Sequence, residues 1–379
     1  LIYGCMVFST VFSITVVPYD ASLNAHENMK IYSLIGIVDV LFKLLIAVIV
    51  FYFDSDRLIL YGVLMALESW LVRFITQQYC KKHYSECQNL CLQKLYEKSF
   101  IKEMTSFAGW NMTNIASGMI SLYGMNIVVN HYFGTELNAA LGIATQLAGV
   151  LMGVSQNMIK AITPILIKKE GCHQRDQVLE VTYIGCKFSY LLFALFGIPA
   201  FFFADSILNL WLYDVPIGTS LFCRILLIST LIEQLFILLY QTIMAQGNIM
   251  YYNIVRSIVN IIPIILSVLM CKFSNIPPYW VLLNWLIWKS AIGGLVNLYF
   301  AKINVGISIN RFCKRIVVTC VLVTLFLCAI NMSVLELRNN MYMNSILLWI
   351  LSFIIELPVL WFVGLSKQEH SLLLKTIKY

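Results

Sequence analysis

The feature that most constrains this chain is a succession of apolar stretches, each about as long as a lipid bilayer is thick. A hydrocarbon core about 30 Å thick takes roughly 20 helical residues to cross. By that measure the sequence offers eleven candidate spans: 1–17, 31–53, 58–78, 105–130, 136–165, 180–204, 217–245, 250–272, 279–303, 311–333 and 343–364. Inside lipid every backbone N–H and C=O must be satisfied within the protein, so apolar stretches of this length are expected to be helices. Composition agrees, with 60% of the 379 residues hydrophobic and only 12% charged. The charged share is about half that of an ordinary soluble domain. A soluble chain so apolar could not cover its core with polar surface. The expected fold class is all-α integral membrane, with about eleven transmembrane helices.

Orientation follows from the loops, because Lys and Arg concentrate on the cytoplasmic side. Taking alternate connections from 18–30 onward, one set carries sixteen Lys or Arg, whereas the opposite set has only Arg57, Arg338 and Lys272. The formal charge of +7 thus reads as membrane orientation, and no nucleic-acid partner is expected. The Lys-rich set, which includes the C-terminal tail, is expected to be cytoplasmic, which puts residue 1 at the outer face. Leu1 already lies in an apolar run, with no start Met, basic leader region or cleavage site. The chain is therefore expected to be truncated upstream, by an odd number of helices and most simply by three.

Signs of catalysis are missing. There is no Gly-rich phosphate loop, no H-E-x-x-H and no nucleophile elbow. The longest outer loop, 205–216, holds Asp205, Asp214, Trp211 and Tyr213 and is too short to house a glycosyltransferase or polymerase site. The 11 Cys form no disulfide framework. Cys80, His83, Cys87 and Cys91 fall on one helical stripe, but ligands eleven residues apart on a straight helix are about 16 Å apart along its axis. One metal ion cannot hold them all. A non-enzyme without metal or cofactor is expected.

An internal repeat gives the first positive indication of function. Residues 25–32 read AHENMKIY and 245–252 read AQGNIMYY, so Ala25, Asn28 and Tyr32 match Ala245, Asn248 and Tyr252 at an offset of 220. The offset covers six spans and keeps both turns on one side. Two parallel six-helix repeats, related by an axis along the membrane normal, are a transporter pattern with substrate bound between the halves. The expected organisation is 1–78 as three helices of a first lobe and 79–104 as a cytoplasmic linker, a surface helix. The region 105–303 is then a six-helix second lobe, and 304–379 two further helices and a cytoplasmic tail.

Four stretches carry a resemblance to a known family. They are Pro18-Tyr19-Asp20-Ala21 running into Ala25-His26-Glu27-Asn28-Met29, Ser106-Phe107-Ala108-Gly109-Trp110-Asn111, Asn138-Ala139-Ala140-Leu141-Gly142-Ile143-Ala144 with Gln146, and Ile207-Leu208-Asn209-Leu210-Trp211-Leu212. With these the chain resembles the Wzx-type polysaccharide or O-antigen flippases of the multidrug/oligosaccharidyl-lipid/polysaccharide exporter superfamily, closest to Bacteroides-like lipopolysaccharide or capsule export members. The resemblance implies a MATE-like two-lobe bundle lacking its first three helices, in a bacterial inner membrane. It implies a secondary transporter that flips a lipid-linked oligosaccharide, an undecaprenyl-pyrophosphate glycan, by alternating access. Its partners would be that glycan lipid, membrane lipid and a coupling H⁺ or Na⁺. A multidrug or cation exporter of the same superfamily is the alternative, with a membrane glycosyltransferase or polymerase behind it. The family often carries an Arg where this chain has Leu141.

Charges inside the bilayer need a reason, since each costs at least about 2.5 kcal/mol near mid-membrane. Arg73, Lys160, Lys187 and Arg256 lie within about two turns of a cytoplasmic end and are expected to reach the headgroups. Deeper lie Asp39 and Lys43, spaced i, i+4 on one face, with Glu68 at matching depth on the next helix. Glu233 and Lys289 are similarly deep in the second lobe. Lys43, Lys289 and Arg224 are the candidate cations for a pyrophosphate, and Asp39, Glu68 and Glu233 the candidate coupling-ion carboxylates. Asn111, Asn126, Asn138 and Gln146 crowd the 105–165 hairpin and are expected to line the cavity. Gly142, Gly149 and Gly153 would form a close-packing face.

Overall fold

The computed structural model describes residues 2–26, 28–53, 56–88, 98–274, 276–341, 345–365 and 369. Leu1, Glu27 and Cys91, and with them Lys94, Lys367, Lys375 and Lys378 of the sixteen loop cations, lie outside them, as does the side chain of Arg338. The described residues are helical throughout, with turns between and no strand. Among them eight helices are long and apolar enough to cross a membrane, or nine if a bent pair counts as one span. The chain is a multi-pass helical membrane protein. It divides into two compact units, Leu1–Ile101 and Lys102–Tyr379, and that division falls inside the 79–104 connection.

The first unit holds α1 (Ile2–Ala25), α2 (Met29–Tyr52) and α3 (Arg57–His83). α1 packs mainly along α3, and α2 covers both. Their outward faces are apolar: Leu34, Ile37, Val40, Leu41, Leu44 and Leu45 on α2 are all exposed. Lipid, not water, is the solvent such a face requires. Asp56 starts α3 by accepting from the backbone N–H groups of Leu58 and Ile59 at 3.2 and 3.1 Å, satisfying two of the donors that a helix start leaves open. The α1–α2 turn is docked on the far end of α3. Asn28 Nδ2 donates to the hydroxyls of Tyr79 and Tyr84, each at 3.1 Å. His26 stacks on Tyr84 and meets Glu86 at 2.5 Å, a hydrogen bond that holds the Glu86 carboxyl below its usual value.

Residues 89–97 of the expected surface helix at 79–104 lie outside the described residues. α3 runs on to His83, a short 3₁₀ turn takes Ser85–Cys87, and the next helix begins at Lys98. Cys80, His83 and Cys87 therefore do not share one straight helix. The Cys80 and Cys87 thiols contact α1, at the Tyr19 carbonyl and the Ser22 hydroxyl.

α4 (Lys98–Gly171) leads into the second unit, 74 residues that would run for about 110 Å if straight. It is broken at Gly134, whose φ of 87° and ψ of 175° belong to a region essentially reserved for glycine. The expected spans 105–130 and 136–165 thus lie on its two arms. Then follow α5 (Arg175–Phe202), α6 (Ala204–Trp211), α7 (Thr219–Gln234), α8 (Ile237–Gln246), α9 (Met250–Phe273), α10 (Tyr279–Trp285) and α11 (Gly293–Val305), with a π turn at Leu286–Ile292 joining the last two. α12 (Ile309–Phe312) leads through a second π turn, Cys313–Val317, into α13 (Val318–Met341), and α14 (Ser345–Val359) ends in a third, Leu360–Gly364.

The core of this unit lies where α5 and α8 meet α11, α12 and α13, around Tyr183, Cys186, Leu238, Ile243, Tyr252 and Phe312. α5 and α8 also share a buried hydrogen bond between Thr182 and Thr242, 2.7 Å. At the start of α5, Glu180 takes Arg311 and Arg315 on its two oxygens at 2.5 and 2.6 Å. Leu141, where the family often carries an Arg, is 1% exposed in a second apolar cluster with Met125, Phe222 and Trp285. The close-packing face expected of Gly142, Gly149 and Gly153 is open within this unit, since a Cβ on any of them would meet nothing within 4 Å.

Candidate functional site

Two neighbouring helices of the second unit lose their regular path at facing points. The axis turns by 43° between α7 and α8, and the α10–α11 helix widens into its π turn at Leu286–Ile292. Irregular backbone in an apolar span is tolerated where protein buries it or a wet cavity meets it. Such a cavity of about 230 Å³ lies here, and its lining includes Glu233, Tyr240, Arg256, Asn260, Lys289 and Asn297.

The polar groups form a connected set. Lys289 Nζ sits 3.4 Å from Glu233 Oε1 and 4.8 Å from the Trp285 ring centroid. Ser290 donates to the same Glu233 oxygen at 3.0 Å, and its hydroxyl is 2.5 Å from that of Ser229. Arg256 Nη2 donates to the Lys289 carbonyl at 3.3 Å, while Nη1 is buried with no hydrogen-bond partner among the described residues. Asn260 Nδ2 donates to Asn114 Oδ1 and Ser117 Oγ at 3.4 and 3.0 Å, and Tyr252 to Asn297 at 2.9 Å. A Cβ at Gly293 would fall 1.6 Å from Arg256 Nη1 and one at Gly294 2.3 Å from the Phe236 ring. The missing side chains leave the room these two groups occupy. Two cations and one carboxylate thus line the cavity, with amide and hydroxyl groups around them, an arrangement that suits an anion bearing further hydrogen-bonding groups.

The first unit carries a smaller polar cluster. Lys43 Nζ lies 2.7 Å from Asp39 Oδ2, and Asp39 meets Glu68 carboxyl to carboxyl. Glu68 is only 4% exposed. Ser69 donates to it at 3.3 Å, and Ser69 and Ser9 are 2.6 Å apart. Each unit therefore has a serine pair beside a glutamate, with a lysine close by. Ser9 and Ser229 are separated by the repeat's own offset of 220. The matching turns also agree. Asn28 binds Tyr84, and the carbonyl of Asn248 accepts from Asn304 at 3.4 Å, again 220 residues on at both ends.

Of the residues the sequence singled out, Asp39, Lys43 and Glu68 come together in the first unit, and Glu233 and Lys289 in the second. Arg224 lies elsewhere, bound to Asp205 at 2.7 Å and to the Phe201 carbonyl at 3.3 Å. Asn111, Asn126, Asn138 and Gln146 do not line the cavity around Lys289. Asn126 donates to the Leu122 carbonyl of its own helix, Gln146 is exposed, and Asn111 and Asn138 each keep a buried amide oxygen without a partner among the described residues. α4 contributes Asn114 and Gly118 instead.

Two charges assigned to the headgroups lie elsewhere. Arg256 lines the cavity, and Lys187 is 4% exposed and paired with Glu369 at 2.7 Å. Distance along a helix misled in both cases, because a neighbouring element covers the side chain. Asn260 and Asn297, polar residues inside apolar spans, were a signal that could have located the cavity. Compared with family models, curated proteins and solved structures, the chain matches none.

Proposed function

We propose that the chain is a secondary transporter of the two-lobe, MATE-like kind with about eleven transmembrane helices. It moves a lipid-linked oligosaccharide across a bacterial inner membrane by alternating access, with its C-terminus in the cytoplasm. The observation that carries this reading is the cavity where α7–α8 breaks and the α10–α11 helix widens. Discontinuous helices around a polar site inside an apolar bundle are a recurring form of transporter binding site. Arg256 and Lys289 would bind the pyrophosphate, and the asparagine and tyrosine groups the first sugars. The matched turns support two parallel repeats. In the first of these, Asp39, Glu68 and Lys43 are the proposed coupling-ion group.

The charge balance favours this over cation export. Glu233, the one carboxylate among the described residues lining the cavity, is already engaged by Lys289 and Ser290, and Arg256 remains to attract an anion. Charge-assisted hydrogen bonds are worth roughly 1.5–3 kcal/mol. Lys289→Ala and Arg256→Ala are therefore each expected to slow export about tenfold or more while inserting normally. The measurement is the fraction of labelled lipid-linked oligosaccharide held on the inner leaflet in cells that depend on this chain. Full export by the double variant would sink the reading. Cells lacking the chain should still make the glycan lipid, whereas loss of a synthase would abolish it.

A further inference from the structure

α13 and α14 pack against each other and bury a carboxylate that the cavity does not use. Asn331, Ser352 and Glu356 are all 0% exposed. Asn331 Nδ2 donates to Glu356 Oε1 and to the Leu327 carbonyl. Ser352 spends its hydrogen on the Trp349 carbonyl at 2.8 Å. Two acceptors are left over, Glu356 Oε2 and Asn331 Oδ1, both buried and without a partner among the described residues. They belong to the same facing pair of groups. A single proton on Oε2 would turn that oxygen into a donor, the kind of group that the unmatched Asn331 Oδ1 lacks.

No Lys, Arg or His among the described residues forms an ion pair with Glu356. A buried carboxylate without a cation carries a desolvation penalty of several kcal/mol. Cys328 on α13 is the titratable group within electrostatic reach. Of the charged and phenolic groups on the other packed helices, Lys187 of α5 pairs with Glu369, Tyr190 of α5 meets Thr324, and Asp205 of α6 holds Arg224. Glu336 of α13 is exposed.

The backbone beside the pair is weak. Pro358 lacks the N–H that would reach the Ile354 carbonyl, and the π turn Leu360–Gly364 follows. π turns inside α-helices often mark functional sites.

We propose that Glu356 and Asn331 form a proton-binding site, separate from the charged cavity. The carboxylate takes a proton from hydronium, leaving water, when α13 and α14 are packed, and gives it back to water when they part. The site does not depend on the glycan-export reading, and the test reads proton binding itself. The full chain in lipid vesicles would be studied by infrared difference spectroscopy from mildly acidic to alkaline pH. A carboxylic-acid carbonyl band is expected in the wild type, absent in Glu356→Gln, and fading as pH rises. Asn331→Ala, which keeps the acid but removes the amide bond, should shift that band. A spectrum in which Glu356→Gln removes no such band would overturn the proposal. So would a band that never titrates, which would make the pair a fixed contact between helices. A band lost on adding Na⁺ at constant pH would assign the site to a metal cation and also overturn it.

Discussion

The guanidinium of Arg256 lies where a methyl group on Gly293 would sit, 1.6 Å from Nη1. The end of an arginine is flexible, so the substitution Gly293→Ala is expected to displace the charge without unfolding the helix. The cavity would then lose the cation that has a free buried N–H. Export by Gly293→Ala should fall about as far as that by Arg256→Ala. The double variant should be no worse than Arg256→Ala alone, because both changes remove one interaction and residues that act together are non-additive. Additive losses in the measured export rates would show that the glycine matters for another reason. Sequence reasoning found Lys289 and Glu233 because both lie deep in an apolar run, where a charge is conspicuous. Arg256 escaped it because only six residues separate it from the start of α9, and nothing in that spacing reveals that Gly293 and Gly294 open a space on the facing helix.

Hydropathy located the elements well, since each apolar stretch coincides with helical residues and outward-facing Leu, Ile and Val need lipid around them. It could not locate the breaks. A turn at Gly134, the bend after Gln234 and the π turn at Leu286–Ile292 leave local composition unchanged, yet the last two shape the cavity. Spacing alone does not name what the face of Gly142, Gly149 and Gly153 packs on, and within the second unit that face is open. The break at Gly134 can be tested by itself. A Cβ there would touch nothing within 4 Å, so the only cost of Gly134→Ala is that of holding a non-glycine residue at φ 87°. That cost is about 1–3 kcal/mol. The purified variant should melt at a lower temperature than the wild type, and an unchanged melting temperature would mean that the two arms of α4 join in some other backbone conformation.

At the scale of the molecule, the second unit sets a topological condition that does not depend on loop charge. α5 has 28 residues, which makes it about 42 Å long, more than the roughly 30 Å of a hydrocarbon core. Its start is tied to α12 through Glu180, Arg311 and Arg315, so Cys172 and Cys313, both exposed, lie at one end of the unit. Tyr213, fully exposed beyond α6, lies past the other end of α5. Cys172 and Cys313 must therefore react from the same side of the membrane, and a cysteine placed at Tyr213 from the opposite side. The orientation proposed from Lys and Arg in the loops would put Cys172 and Cys313 inside. With a membrane-impermeant thiol reagent, intact cells should label Tyr213→Cys above the wild-type level but neither Cys172 nor Cys313, and opened cells should label the two native sites as well. Labelling of both native sites in intact cells would invert the orientation and leave the fold standing. Labelling of only one of them from outside would break the arrangement of α5 and α12, and with it the frame that holds the cavity.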